Sequence, residues 1–145
     1  MFSARRTQLR GGTRADILRA MTSTVLVMDD DDCARELLYL HLSGAGYQVL
    51  LAEDAIAAGR LLLKQPVNLL LADIEMPYMD GLEFVQAMRT DPAVARTPVI
   101  FVTSHAEHEG RAGELGAVAC LRRPIRADHL LATVARHAVP FLQGA

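Results

Sequence analysis

The chain has 145 residues, which is enough for one domain with a hydrophobic core and too few for two. Hydrophobic residues make up 51% and charged residues 22%, and the net charge of −2 predicts no general attraction to nucleic acid or anionic membranes. No apolar run approaches about 18 residues, no signal peptide is recognisable, and the two cysteines, Cys33 and Cys120, do not suggest a secreted disulfide framework. We therefore expect a cytoplasmic domain that binds neither nucleic acid nor membrane.

Residues 1–23 are predicted to form an N-terminal extension, and residues 24–142 the folded domain. The first 13 residues carry three arginines and a Gly11–Gly12 pair, which favours partial disorder. Thr13 could cap a short helix over residues 14–21. That helix could pack on the domain or on a second copy of the chain, so a homodimer stays open. An extension without function is favoured over a basic tail that binds a partner.

Within the domain, short apolar runs alternate with segments of helical periodicity. The predicted strands cover residues 24–28, 47–52, 67–73, 99–102 and 118–121. The predicted helices cover residues 33–43, 55–64, 81–90, 105–115 and 129–141, with Asp32, Asp54 and Asp128 as N-caps of the first, second and last. The fourth helix carries Gly110 and Gly113, each costing about 1 kcal/mol relative to alanine, so we expect it to be short or frayed.

This alternation predicts an α/β fold. Strands without polar alternation are typical of a parallel sheet covered by helices on both faces. Five strand–helix pairs predict a doubly wound five-stranded parallel sheet of order 2-1-3-4-5, which is a flavodoxin-like three-layer sandwich.

Carboxylates follow two of the predicted buried strands. Asp73 ends the central strand, and Asp29 and Asp30 follow the first. In such sheets ligands gather at the carboxyl ends of the strands, where these side chains would meet. Crowded carboxylates repel each other unless a cation lies among them, and hard oxygen ligands suit Mg²⁺. On the central strand alone, a helix cap or a turn aspartate stays an alternative for Asp73.

The fourth and fifth strands add other groups to the same edge. Thr103 and Ser104 follow the fourth strand, and Arg122, Arg123 and Pro124 follow the fifth. Acids, hydroxyls and a cation at one strand edge indicate a site that handles a phosphoryl group.

These motifs, in this order, resemble the receiver domain of two-component response regulators, of the chemotaxis-regulator type, over about residues 24–139. By position, Asp29 and Asp30 match the acidic pair, Asp73 the phosphoacceptor and Thr103 the hydroxyl switch residue. The segment LADIEMPYMDG, from Leu71 to Gly81, is close to the most diagnostic one in the family.

The resemblance implies that a histidine kinase or a histidine phosphotransfer protein donates a phosphoryl group to Asp73. It implies Mg²⁺ held by Asp30, Asp73 and the backbone carbonyl of Glu75, with Asp29 in support. Thr103 and the basic residue, Arg123, would each contact a phosphoryl oxygen. Such a domain is a switch read by a downstream effector protein, and not a metabolic enzyme.

Two positions depart from the family pattern. Arg123 stands where the family has lysine, and Cys120 where it has an aromatic switch residue. Arginine is planar and bulkier than lysine, so we expect altered switching but retained phosphorylation. Because Cys120 is small, we expect any response to appear in residues 105–115. Arg122 should point to the opposite face of its strand, and a cis peptide before Pro124 is plausible.

Two other functions stay open. A degenerate receiver would bind its partner constitutively and never be phosphorylated. A small phosphate hydrolase would use Asp73 as nucleophile, but Glu75, its one candidate for an acid–base partner, has a backbone role in the family. His105 and His108 could imitate a metal cluster, although an exposed polar loop is the favoured interpretation because no further ligand is near in sequence.

Overall fold

The computed structural model describes residues 13, 14 and 23–138. Arg14 is helical, but most of the helix predicted over residues 14–21 lies outside the described residues, as does everything after residue 138. Within the described part of the chain, no helix has the length and apolar character needed to cross a membrane.

The strands are β1 (Thr24–Met28), β2 (Gln48–Ala52), β3 (Leu69–Asp73), β4 (Val99–Thr103) and β5 (Ala119–Arg122). The helices are α1 (Asp32–Gly44), α2 (Ala55–Lys64), α3 (Gly81–Met88), α4 (Glu109–Glu114) and α5 (Ala127–His137), with a 3₁₀ turn at Ala106–His108. All strand pairs are parallel, in the order β2-β1-β3-β4-β5. The predicted fold class and strand order are confirmed.

Each face of the sheet has its own hydrophobic core, because alternate residues of a strand face opposite sides. On one face Leu70 and Phe101 belong to a core that includes side chains of α2, α3 and α4. On the other face Leu71 and Ile100 belong to a core that includes side chains of α1 and α5. β3 and β4 are buried along their whole length, which explains why their sequences show no polar alternation.

Two of the three predicted N-caps are wrong. Asp31, and not Asp32, is the N-cap of α1, because its side chain accepts a hydrogen bond from the Ala34 amide at 2.7 Å. Asp32 lies in the first turn, where it pairs with Arg35. Arg126, and not Asp128, occupies the N-cap of α5. The Asp54 cap of α2 is confirmed.

Helix α5 ends at His137, earlier than the predicted end at residue 141. Pro140 follows shortly afterwards, and the residue before a proline is disfavoured in helical conformation, which favours an early end. The fourth helix was predicted to start at residue 105 but starts at Glu109, because a 3₁₀ turn occupies residues 106–108. The other strand and helix ends differ from prediction by about one or two residues, which is within the usual ambiguity of element boundaries.

The fourth helix is short, as predicted. It follows the 3₁₀ turn and spans six residues, of which Ala112 alone is buried. Its C-terminal end is held by Arg89, whose Nε donates to the Leu115 carbonyl at 3.0 Å. The Nη1 of Arg89 also donates to the carbonyls of Ala95 and Thr97, at 2.9 and 2.7 Å. The side chain of Arg89 thus links the loops before β4 and β5, a role the sequence analysis did not predict.

Candidate functional site

Three carboxylates meet at the carboxyl edge of the sheet. β1 and β3 lie side by side, and Met28 of β1 is opposite Ala72 of β3. Asp29 and Asp73, the next residue on each strand, therefore lie next to each other. Asp29 and Asp73 are buried, whereas Asp30 is exposed. One ligand atom from each of the three lies within 4.8 Å of the others, and among the described residues this is the one group of three or more metal-ligating side chains.

Asp29 is held on several sides. Its Oδ1 accepts a hydrogen bond from the Asp31 amide at 3.0 Å, and its Oδ2 accepts one from Arg123 Nη2 at 2.9 Å. Its backbone carbonyl accepts a hydrogen bond from Arg35 Nη1 at 2.8 Å. These bonds fix the orientation of the Asp29 carboxylate and leave Asp30 as the solvent-facing member of the cluster.

Burial, together with the neighbouring charges of Asp29 and Glu75, raises the pKa of Asp73 to about 7. Arg123 opposes this effect but does not cancel it. A cation among the three carboxylates would relieve the repulsion between them. Hard carboxylate oxygens with one solvent-facing member fit Mg²⁺, which keeps several waters and uses few protein ligands. The residues present therefore suit the predicted metal.

Arg123 supplies the positive charge at this edge. Its Nη2 lies 2.9 Å from Asp29 Oδ2 and 3.5 Å from Asp73 Oδ1, and the Arg123–Pro124 peptide is cis. Burial acts to lower the pKa of Arg123, but the hydrogen bond and charge of Asp29, together with Asp73, raise it overall. Arg122 instead pairs with Glu109 of α4, at 3.6 Å. That Arg122 points to the opposite face of its strand stays a prediction.

Thr103 is fully buried at the end of β4. Its hydroxyl donates a hydrogen bond to Glu75 Oε2 at 2.8 Å and accepts one from the His105 amide at 3.0 Å. The other oxygen of Glu75, Oε1, accepts from the Ser104 amide at 2.7 Å. The resemblance implied a role for the Glu75 carbonyl, which stays a prediction. The contact of the Glu75 carboxylate with β4 was not predicted.

The Asp80–Gly81 pair anchors the loop that follows Asp73. Asp80 and Glu83 form a capping box, in which each side chain accepts a hydrogen bond from the backbone of the other. The Gly81 amide donates to the Ile74 carbonyl at 3.0 Å. A Cβ at position 81 would lie 2.3 Å from the Asp73 carbonyl oxygen. Glycine is required because α3 begins directly against the backbone of Asp73.

The two histidines and the cysteine that the sequence drew attention to, His105, His108 and Cys120, lie outside the carboxylate cluster. His105 and His108 contact each other edge to face, with ring centroids 6.1 Å apart, and they belong to no group of metal-ligating side chains in residues 13, 14 and 23–138. Cys120 is partly buried opposite Phe101 of β4, and burial raises the pKa of its thiol. A raised thiol pKa lowers the thiolate fraction, which favours an inert cysteine.

Known proteins are similar to this chain in sequence and in fold. The "Response regulator receiver domain" family profile matches residues 25–135. The chain is 36% identical over 116 residues to "Sensor histidine kinase RcsC" of Salmonella typhi, covering 79% of this chain and only 12% of that protein. It is 33% identical over 113 residues to "Probable chemotaxis protein CheY" of Rhizobium etli, covering 76% of this chain and 88% of that one.

Solved structures agree with these sequence matches. The chemotaxis protein CheY4 of Vibrio cholerae superposes with a TM-score of 0.75 and 30% identity, covering 80% of this chain and 98% of that one. A response regulator receiver protein of Pseudomonas putida gives a TM-score of 0.74 and 29% identity, covering 79% and 96%. Receiver domains are signalling modules, generally not classical enzymes. The profile, the relatives and the strand-edge site agree, and the chain belongs to the response regulator receiver domain family.

Proposed function

We propose that Asp73 accepts a phosphoryl group in a Mg²⁺-dependent reaction, and that a partner protein reads the phosphorylated state. The donor would be a histidine kinase or a histidine phosphotransfer protein. The observation that carries the proposal is the meeting of three carboxylates, Asp29, Asp30 and Asp73, with one guanidinium at a strand edge. Thr103, which carries a hydroxyl, is the last residue of the adjacent strand β4.

The transfer requires little covalent chemistry from the protein. A carboxylate oxygen of Asp73 forms a bond to phosphorus, while the phosphorus–nitrogen bond of the donor phosphohistidine breaks. The electron pair of that bond stays on the imidazole, which takes up a proton from solvent. The pairing of β3 with its neighbours, and the hydrogen bond of the Gly81 amide to the carbonyl of Ile74, hold the end of β3 and so position Asp73 for this attack.

Charge neutralisation is the main task of the surrounding groups. Asp30, Asp73 and the carbonyl of Glu75 would hold Mg²⁺, with Asp29 in support. When bound, the ion would neutralise negative charge on the phosphoryl oxygens and on Asp73. Arg123 lies 3.5 Å from Asp73, and it would contact a phosphoryl oxygen. Thr103 would donate its hydroxyl to another.

The response would be read on the face formed by β4, α4 and β5. Thr103 leads directly into the 3₁₀ turn and the short helix α4, in which two glycines lower helix stability. We therefore propose that a downstream effector protein binds this face differently in the two states. The cytoplasmic location, the domain boundaries at residues 23 and 142, and a homodimer stay predictions. No observation on the described residues favours a constitutive binding module or a phosphate hydrolase.

Incubation with acetyl phosphate and Mg²⁺ tests the proposal. Intact mass spectrometry should show one added phosphoryl group, absent in Asp73→Asn and absent when a chelator removes the metal. Asp91→Asn, which changes an aspartate remote from the strand edge, is the matched control and should be labelled like the parent protein. Label mapped to a residue other than Asp73 would contradict the proposal.

A further inference from the structure

The carboxylate of Glu75 reaches from the loop after β3 to the end of β4. It accepts the Thr103 hydroxyl at 2.8 Å and the Ser104 amide at 2.7 Å, one donor for each oxygen. Both distances are those of well-formed hydrogen bonds. One side chain thus holds two donors where β4 turns into the segment that leads to α4.

The hydrogen bond of Thr103 to Glu75 excludes a second one. A hydroxyl carries one proton and can donate it to one strong acceptor at a time. Here Glu75 takes that proton, and the alternative acceptor, the His105 carbonyl, is farther away at 3.3 Å. The proposed reaction needs the same proton for a phosphoryl oxygen on Asp73. The carboxylate and the phosphoryl group therefore compete for Thr103.

We propose that Glu75 is an internal competitor of the phosphoryl group, holding the hydroxyl of Thr103 until phosphorylation of Asp73 displaces the carboxylate. This inference rests on the proposed function. A phosphoryl group brings additional negative charge next to Glu75, and repulsion between like charges favours release of the carboxylate. Glu75 is a positioning residue, because it acts on the reaction through Thr103.

The competition involves side-chain motion, since the backbone of Ile74, the residue before Glu75, is hydrogen-bonded at both its amide and its carbonyl. The Ile74 amide donates to the Val102 carbonyl at 2.9 Å, and the Gly81 amide donates to the Ile74 carbonyl at 3.0 Å. Release of Glu75 leaves the Ser104 amide without its carboxylate acceptor. Ser104 immediately precedes the segment that leads to α4, so the exchange of partners is passed to a short helix that contains two glycines.

The first measurement uses the unphosphorylated protein and needs no reaction. Hydrogen exchange of the Ser104 amide, followed by NMR, should be about tenfold faster in Glu75→Ala than in the parent protein. Glu75→Gln should give an intermediate rate, because its single carbonyl oxygen can accept from one of the two donors. Glu53→Ala removes the same charge from an exposed loop residue and should leave the rate unchanged.

The second measurement is the affinity for beryllium fluoride in the presence of Mg²⁺, as a mimic of the phosphoryl group. Glu75→Ala should tighten binding about tenfold, whereas Glu53→Ala should not. The same substitution is then made in a Thr103→Val background, which has no hydroxyl to compete for. There the gain should fall below about threefold, and the difference measures the coupling between the two residues.

Each outcome decides the matter. An equal gain in both backgrounds means that charge repulsion alone acts, and it overturns the inference. An unchanged Ser104 exchange rate in both Glu75 variants also overturns it. If the parent protein binds beryllium fluoride and Glu75→Ala binds it no better, the inference fails while the proposed function stands. If no variant binds the mimic, the proposed function fails and the inference with it.

Discussion

Arg123 Nη2 lies closer to Asp29 than to Asp73, at 2.9 Å against 3.5 Å. The basic residue of the site thus has its strongest contact with the acidic pair and a looser one with the proposed phosphoacceptor. Both contacts are made by the same nitrogen of a planar, bulky guanidinium, which is held by its hydrogen bond to Asp29. A lysine is a compact charge on a flexible stem and would be freer to follow an arriving phosphoryl oxygen.

Arg123→Lys should therefore change the switching response more than the amount of phosphate acquired. The positive charge is kept, so phosphorylation by acetyl phosphate should change by less than about threefold. The response, read as hydrogen exchange over residues 105–115 with and without beryllium fluoride, should change by a larger factor. Arg122→Lys, at the residue that pairs with Glu109 instead, is the control. If Arg123→Lys turned an inert protein into a phosphorylatable one, a degenerate receiver would be the correct description.

Magnesium affinity should separate three consecutive aspartates. Asp30→Ala should weaken Mg²⁺ binding about tenfold or more in a calorimetric titration, because Asp30 belongs to the carboxylate cluster. Asp31→Ala removes the cap of α1 and should cost about 1 kcal/mol of stability while keeping the affinity. Asp32→Ala breaks only an exposed ion pair with Arg35 and should change neither the stability nor the Mg²⁺ affinity. Equal losses of affinity in all three variants would contradict this assignment.

Stability should depend on pH through Asp73. Its pKa of about 7 in the folded protein lies above the ordinary value of 3.8, so the folded state binds the proton more tightly than the unfolded state. The free energy of unfolding should therefore fall as pH rises from about 4 to about 7, in metal-free buffer. Asp73→Asn should raise the melting temperature at pH 8 and leave it nearly unchanged at pH 4.

Asp32→Asn, at an exposed residue, is the control and should show no such difference between the two pH values. Addition of Mg²⁺ at pH 8 should stabilise the parent protein, because a ligand that binds the folded state raises its stability. If the melting temperature of Asp73→Asn followed that of the parent protein between pH 4 and pH 8, the pKa of Asp73 would not be raised as described.

Two glycines should respond to alanine in opposite directions. Gly81→Ala places a Cβ 2.3 Å from the carbonyl oxygen of Asp73, so the backbone must shift, at a cost of about 2 kcal/mol or more in urea unfolding. The shift should also reduce phosphorylation. Gly59→Ala, in α2, meets only Phe84 Cε1 at 3.9 Å and should stabilise by about 0.5–1 kcal/mol. Destabilisation by Gly59→Ala, or tolerance of alanine at position 81, would show that these contacts do not govern stability.

Periodicity and strand-end chemistry were sufficient to predict the fold and to bring the main acidic residues together. A parallel strand buried on both faces has a distinctive composition, and parallel connection rules leave few arrangements for five strand–helix pairs. Once the strands are aligned, the residues that follow them must share one edge. This is why Asp29, Asp30 and Asp73 were predicted to meet without knowledge of any contact.

The tertiary structure decided which long side chains meet across that edge. Glu75 and Thr103 are 28 residues apart, and Asp29 and Arg123 are 94 residues apart. Such contacts depend on rotamers and on the direction of each loop, which periodicity does not report. The sequence also could not decide whether Asp31 or Asp32 caps α1. Neighbouring aspartates have the same side chain, and only the backbone dihedrals show which of them lies at the cap. The raised pKa of Asp73 also required the fold, because burial and nearby charge are properties of the assembled site and not of the residue.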